Sequence, residues 1–164
     1  MSAMNATQAP VLIGYDGSDG ARHAIREAAE LFRPRAALVA TVWEPGLAYQ
    51  AAAISTAPDL AAVPQLPDVE EVREIDDALE GRAHRIAQEG AELATAAGLQ
   101  AEALAVADEG DVAEAIVELA RERGAAAIVV GSRGLRGLRA RLEGSTSNAV
   151  LKRSSVPVVV VHDE

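Results

Sequence analysis

Residues 125–150 read AAAIVVGSRGLRGLRARLEGSTSNAV. A continuous apolar run, Ala125 to Val130, breaks at Gly131 into a glycine- and arginine-rich connection, which ends at Gly144 where Ser145 opens a short helical stretch. An uninterrupted Val/Ile run is the pattern of a strand covered on both faces, and such strands belong to parallel sheets joined by helices. The same alternation extends outward from this segment in both directions.

Toward the carboxyl end, Ser145 to Arg153 reads as a helix and Val156 to Val161 as a last strand. Toward the amino end, Asp111 to the residue before Gly124 reads as a helix opened by a capping box, Asp111 with Glu114 three residues on, preceded by a turn at Asp108-Glu109-Gly110 and a strand over 99–106. Asp68 is placed to cap a long helix running to about Ala97, with Val69, Val72, Ile75, Leu79, Ile86 and Leu93 on one stripe and Gly98 just past its end. Ala36 to Trp43 is a strand, Gly20 to Arg33 a helix stopped by Pro34, and Pro10 to Tyr15 the first strand, ended by Asp16-Gly17-Ser18. The order is βαβαβαβαβ. Right-handed crossovers then give an open five-stranded parallel α/β sheet sandwiched by helices, Rossmann-like, with its ligand site beyond the carboxyl ends of the strands.

With 164 residues the chain has the length of one domain, expected over 10–164 after a flexible amino-terminal segment at 1–9. Pro45, Gly46, Pro58, Pro64 and Pro67 interrupt a weakly patterned stretch at 44–67, which reads as a long loop. The net charge of -10 opposes nucleic acid and anionic membranes, so an anionic ligand must be held by a local arrangement. The absence of cysteine excludes disulfides, thiolate zinc sites and a cysteine nucleophile. With no leader-like or membrane-length apolar run, a cytoplasmic protein is expected.

The candidate chemistry sits at 131–147. Glycines let backbone amides approach an anion, a helix start at Ser145 adds unpaired N–H groups, Ser145, Thr146 and Ser147 offer hydroxyls, and Arg133, Arg136, Arg139 and Arg141 gather positive charge. Phosphate is the natural guest. The competing reading is structural: Gly131 and Gly134 shape a turn, Ser145 caps a helix, and the arginines are solvated. There is no Gly-x4-Gly-Lys-Ser/Thr loop and no Gly-x-Gly-x-x-Gly after the first strand, so P-loop transfer and dinucleotide redox chemistry lack their anchors. His23, His84 and His162 stand far apart without spaced partners, and no metal site is assigned to side chains. The acids at 70–77 read as a solvated helix face.

The spacing Gly131-x2-Gly134-x9-Gly144-Ser145 resembles the signature of the ATP-binding branch of the universal stress protein family, and Gly14-Tyr15-Asp16-Gly17-Ser18, the lead-in from Ala125 and Val156-Pro157-Val158 to Val161 extend the resemblance over nearly the whole chain. Two stretches depart from it, the 44–67 segment and Val106 to Val112. The resemblance implies an adenine nucleotide held by Gly131, Ser132, Arg133, Gly134, Arg136, Gly144, Ser145, Thr146 and Ser147, with Asp16 beside it, Gly14 on the pocket floor next to Tyr15, and Val42 meeting adenine through its backbone. ATP is the expected ligand, with AMP and cyclic AMP as the other candidates, and Mg²⁺ accompanying the phosphates through Asp16. Asp16 as a simple Asp-Gly turn former is the alternative. The expected role is a nucleotide-dependent stress-response sensor or regulator with little or no turnover, acting on an unidentified protein partner. Against it stand a weak ATPase or autophosphorylating protein and a ligand-free interaction module. An edge position for Val156 to Val161 predicts a homodimer through that strand, as the resemblance also implies.

Overall fold

The first strand is buried along its whole length because it has a neighbour on each side and helices on both faces. In a computed structural model describing residues 9–46, 68–108, 110–132 and 145–162, β1 (Val11–Gly14) pairs in parallel with β2 (Ala36–Trp43) and with β4 (Ala127–Gly131). Beyond β2 lies β3 (Gln100–Ala107), and beyond β4 lies β5 (Val158–Val161), both parallel to their neighbours. The order across the sheet is β3-β2-β1-β4-β5, so β5 is an edge strand as the sequence predicts. The helices are α1 (Asp19–Phe32), α2 (Val69–Ala96), α3 (Val112–Glu122) and α4 (Ser145–Arg153).

Strand alternation divides the core in two. Val11, Ile13 and Tyr15 point to one face with Val39 and Val129, where Ala24, Ile25 and Ala28 of α1 and Ala91 and Ala94 of α2 cover them. Leu12 points to the other face with Ala40, Ile128 and Val130, where Ala113 and Ile116 of α3 and Val150 of α4 pack. Two helices per face is the arrangement expected of an α/β sandwich.

Several local expectations hold and several are corrected. Ser18, read from the sequence only as a turn residue, also caps α1, its hydroxyl accepting from the Ala21 amide at 3.1 Å. Asp111 caps α3 by accepting from the amides of Ala113 and Glu114, at 3.0 and 3.4 Å. The second half of the predicted capping box is made differently. The Asp111 amide donates to the Asp108 carboxylate at 2.5 Å, while Glu114 lies 3.8 Å from Arg153. Asp68 occupies the cap position of α2, but its side chain makes no cap hydrogen bond. Strand β4 is displaced two residues from the predicted start and takes in Gly131, which pairs with Val161. Strand β5 starts at Val158 rather than Val156, since Pro157 has no amide to donate to a ladder and Ser154 closes a local turn on Val156.

The stripe predicted for α2 is the main correction. Val69, Ile75 and Leu93 are exposed, and the buried positions are Val72 and a run of small residues, Ala83, Ala87, Gly90, Ala91 and Ala94. At 28 residues the helix is about 42 Å long, against about 26 Å for an eight-residue strand, so it cannot lie on the sheet throughout. Its carboxyl-terminal half approaches closely. A Cβ on Gly90 would fall 2.7 Å from the Tyr15 ring and 2.8 Å from Val39. Large apolar side chains on this stripe would hold the helix off the sheet, so the contact surface is made of alanine and glycine instead.

Tyr15 fills the space that Gly90 leaves. Its side chain is fully buried, and its hydroxyl donates to Glu89 Oε1 at 2.9 Å. Burial first, and the neighbouring Glu89 carboxylate second, push its phenol from 10.0 up to about 12.

Two outcomes follow for stability. Gly81→Ala, whose Cβ meets only the Arg85 guanidinium at 3.6 Å, should stabilise by up to about 1 kcal/mol through helix propensity. Gly90→Ala has the same propensity gain, but pushing the Tyr15 ring and Val39 aside costs about 1–3 kcal/mol, so it should destabilise. Urea melts of the two variants moving in the same direction would contradict this packing. Because the native state holds the Tyr15 proton more tightly than the unfolded chain, the stability contributed is fully present below pH 10 and lost as pH rises toward 12. Melts at pH 9 and pH 11 should therefore show a drop that Tyr15→Phe reduces, and an equal drop in both proteins would refute it.

Candidate functional site at the reversal of strand order

From β1 the chain moves through α1 to β2 and through α2 to β3, always to one side, and then crosses to β4 on the other side of β1. The loops leaving β1 and β4 therefore part in opposite directions, which opens a crevice beyond their carboxyl ends. The cleft found there is lined by Gly14, Asp16, Ala21, Val130, Gly131, Thr146 and Ser147, with a volume of about 250 Å³ including the space open to solvent. Four elements or their exits meet in it: β1, α1, β4 and α4.

Asp16 and Gly17 turn the chain out of β1. Gly17 adopts φ of +80°, a left-handed conformation that suits glycine, and Asp16 Oδ1 accepts from the Ser18 amide at 2.9 Å. The turn-forming role of Asp16 is thus realised, and the same residue lines the cleft.

Gly131 has a packing reason for lacking a side chain. A Cβ there would fall 2.9 Å from the carbonyl oxygen of Gly20, in the first turn of α1. The absent side chain lets the amino-terminal turn of α1 sit directly on the end of β4, and Ala21 enters the cleft wall as a result. Across the cleft, the first turn of α4 contributes Thr146, half-buried, and Ser147, buried. Two helix amino termini, from α1 and α4, therefore border one crevice. Helix amino termini carry partial positive charge, which locally offsets the acidity of the chain.

The far end of α4 is tied down. Arg153 donates to the Asp111 carboxylate, which already caps α3, and holds that carboxyl below its ordinary range. Below the cleft on the α2 side, Arg22 Nη2 and the Tyr15 hydroxyl both donate to Glu89 Oε1, each at 2.9 Å, and depress the Glu89 carboxyl.

Of the residues singled out from the sequence, Gly14, Asp16, Gly131, Thr146 and Ser147 line the cleft. Tyr15 lies beneath it with its side chain in the core. Ser132 is at the end of β4, where its amide donates to the Val161 carbonyl at 2.7 Å, and it does not line the cleft. Val42 is one strand away on β2 and packs partly into the α3/α4 face. The Ala40 carbonyl accepts from Tyr15 on the β1 side and the Trp43 carbonyl accepts from Asp108 on the β3 side. Alternate residues of a parallel strand face opposite neighbours, so the Val42 peptide groups turn toward β1, past its last paired residue. Ser145 opens α4. Arg133, Gly134, Arg136, Arg139, Arg141 and Gly144 lie outside the described residues, as does 47–67 within the predicted long loop. Ala21 and Val130 are lining residues that sequence reasoning missed. The Ser18 cap three residues before Ala21 was the available signal, since it places Ala21 in a first helical turn beside the β1 exit.

Among the described residues no group of three or more His, Asp or Glu side chains converges to hold a metal ion, and no helix is long and apolar enough to cross a membrane. A cation at Asp16 would depend on oxygens supplied by its ligand.

Comparison with known proteins gives the fold and the family. The solved structure of the hypothetical protein MJ0577 superposes with a TM-score of 0.70 over 96% of this chain and 98% of that one, at 19% identity. A universal stress protein solved in complex with cAMP superposes with a TM-score of 0.63 at 27% identity, over 94% of this chain and 97% of the other. In sequence, universal stress protein YxiE of Bacillus subtilis (strain 168) is 39% identical over 77 residues, 47% of this chain and about half (51%) of that relative. The family model described as "Universal stress protein family" matches residues 9–162, and on that match the chain belongs to the universal stress protein family.

Proposed function

We propose that this protein binds an adenine nucleotide, ATP in the first instance, in the cleft between β1 and β4, and that it acts in the cytoplasm as a nucleotide-dependent regulator of a stress response with little or no turnover. The observation that carries this reading is the convergence of Asp16, Thr146 and Ser147 on one crevice bordered by two helix amino termini. A family member of the same fold, 27% identical, has been solved in complex with cAMP.

The donor set fits such a ligand. The opening turn of α4, with the Thr146 and Ser147 hydroxyls, suits phosphate oxygens. The Asp16 carboxylate accepts but does not donate when ionised, so it suits a ribose hydroxyl or a Mg²⁺ carried by the phosphates, and it repels a bare phosphate. Ligand polarity follows from this: sugar or cation toward β1, phosphates toward α4. The glycine and arginine residues from Arg133 to Gly144 supply the remainder of the cradle in this reading.

The homodimer belongs to the same proposal. Val158 to Val161 form an edge strand of the sheet, and a Val-rich edge pairs readily with a second copy. Light scattering at micromolar concentration should give the mass of two chains, and the mass of one chain would remove the dimer.

Calorimetric titration of the purified protein with ATP, AMP and cyclic AMP tests ligand binding. Binding of at least one should be detectable, and Ser147→Ala together with Asp16→Ala should weaken it, each by roughly ten- to a hundredfold if a charged or charge-assisted hydrogen bond is lost. No heat with any of the three would refute nucleotide binding. Full-strength binding in both variants would move the ligand elsewhere on the molecule.

A further inference from the structure

Two residues that border the cleft each have a chain neighbour that reaches the same atom on α2. Asp16 follows Tyr15, and Ala21 precedes Arg22. Tyr15 and Arg22 both donate to Glu89 Oε1, each at 2.9 Å, from β1's exit and from α1 respectively. Arg22 is held further by Asp19, 3.2 Å from its other terminal nitrogen.

Residue 15 is restrained at every polar group it has. Its amide donates to the Ala40 carbonyl at 2.9 Å, its carbonyl accepts from the buried Thr41 hydroxyl at 2.8 Å, and its own hydroxyl reaches Glu89. The ring is fully buried against Gly90, the residue next to Glu89, where no side chain could be accommodated without displacement. A shift of α2 therefore acts on the Tyr15 ring and hydroxyl, next to the peptide that carries Asp16. The same shift pulls on Arg22, one residue from the cleft wall.

On the reading that the cleft holds a nucleotide, we propose that Glu89 is a positioning residue for it: by binding Tyr15 and Arg22 together it sets the distance between Asp16 and the first turn of α1, and it passes the occupancy of the cleft to α2. Glu89 touches no ligand in this account. The coupling is reciprocal, so a ligand that fixes Asp16 and Ala21 must also restrain the Glu89 segment of α2. Because α2 is the longest helix and its amino-terminal part carries exposed apolar residues, Val69 and Ile75, it is the element through which a bound state becomes readable at the surface.

The full-length protein, Tyr15→Phe, Glu89→Gln and the double variant should be titrated with ATP and cyclic AMP by calorimetry, with hydrogen exchange of the 86–94 peptide followed with and without nucleotide. Each single variant should raise Kd roughly three- to tenfold, and the double should be no worse than the weaker-binding single, since both remove one linkage. The wild-type 86–94 peptide should gain protection on nucleotide addition, and this gain should vanish in Glu89→Gln, a half-exposed position whose replacement leaves the core intact. Affinities within twofold of wild type, additive losses in the double variant, or an unchanged gain of protection would each overturn the proposal while leaving nucleotide binding in place. A wild-type protein that binds no nucleotide overturns both, and is distinguished by its flat titration.

Discussion

Strand β1 must find partners on both of its edges and cover on both of its faces, and the rest of the molecule is arranged to satisfy that requirement. Every residue from Val11 to Gly14 is buried. A parallel strand cannot be paired by a hairpin, so each neighbour has to be reached through a helical crossover of fixed hand. The chain meets the constraint by building β2 and β3 on one side and then crossing over to build β4 and β5 on the other. One crossover pair covers one face, the other covers the second, and the loops above β1 and β4 are left diverging. The cleft is therefore a consequence of how the core is completed. Its position needs no separate explanation.

The same economy of space governs the small residues. Gly131 lets α1 rest on β4 and Gly90 lets α2 rest on Tyr15. In each case a missing Cβ brings a helix close enough for its neighbours to act: Ala21 forms cleft wall, and Glu89 reaches the tyrosine hydroxyl. A buried phenol without a partner would cost on the order of 1–3 kcal/mol. The Glu89 contact removes that cost and joins β1, α1 and α2 at one oxygen. Packing and polar satisfaction are here the same event.

Much of this was legible in the sequence, for physical reasons that also mark where legibility stops. Apolar runs bounded by turn residues identify all five strands, and Asp111 caps its helix as such a residue should. Gly14, Asp16, Gly131, Thr146 and Ser147, singled out from the sequence, stand at strand exits or a helix start and line one cleft. The buried stripe of α2 was not recognisable. Its contact surface is alanine and glycine, which the hydropathy pattern of an alanine-rich chain does not distinguish, while the larger Val69, Ile75 and Leu93 that draw the eye are exposed. Nor could spacing reveal that Arg22 and Tyr15 meet on Glu89, 67 and 74 positions away. Contacts of that range depend on the packing distance between two helices, and no local pattern encodes it. The structural meaning of Gly131 was likewise hidden, since its constraint comes from the Gly20 carbonyl across the fold.

A crystal structure of the protein with ATP and Mg²⁺ tests the central claim most directly. The account predicts phosphate oxygens within hydrogen-bonding distance of the first turn of α4 at Thr146 and Ser147, with the ribose or the metal ion facing Asp16. Nucleotide bound outside the crevice between β1 and β4, or bound there with phosphates against Asp16 and no metal ion between them, would contradict it.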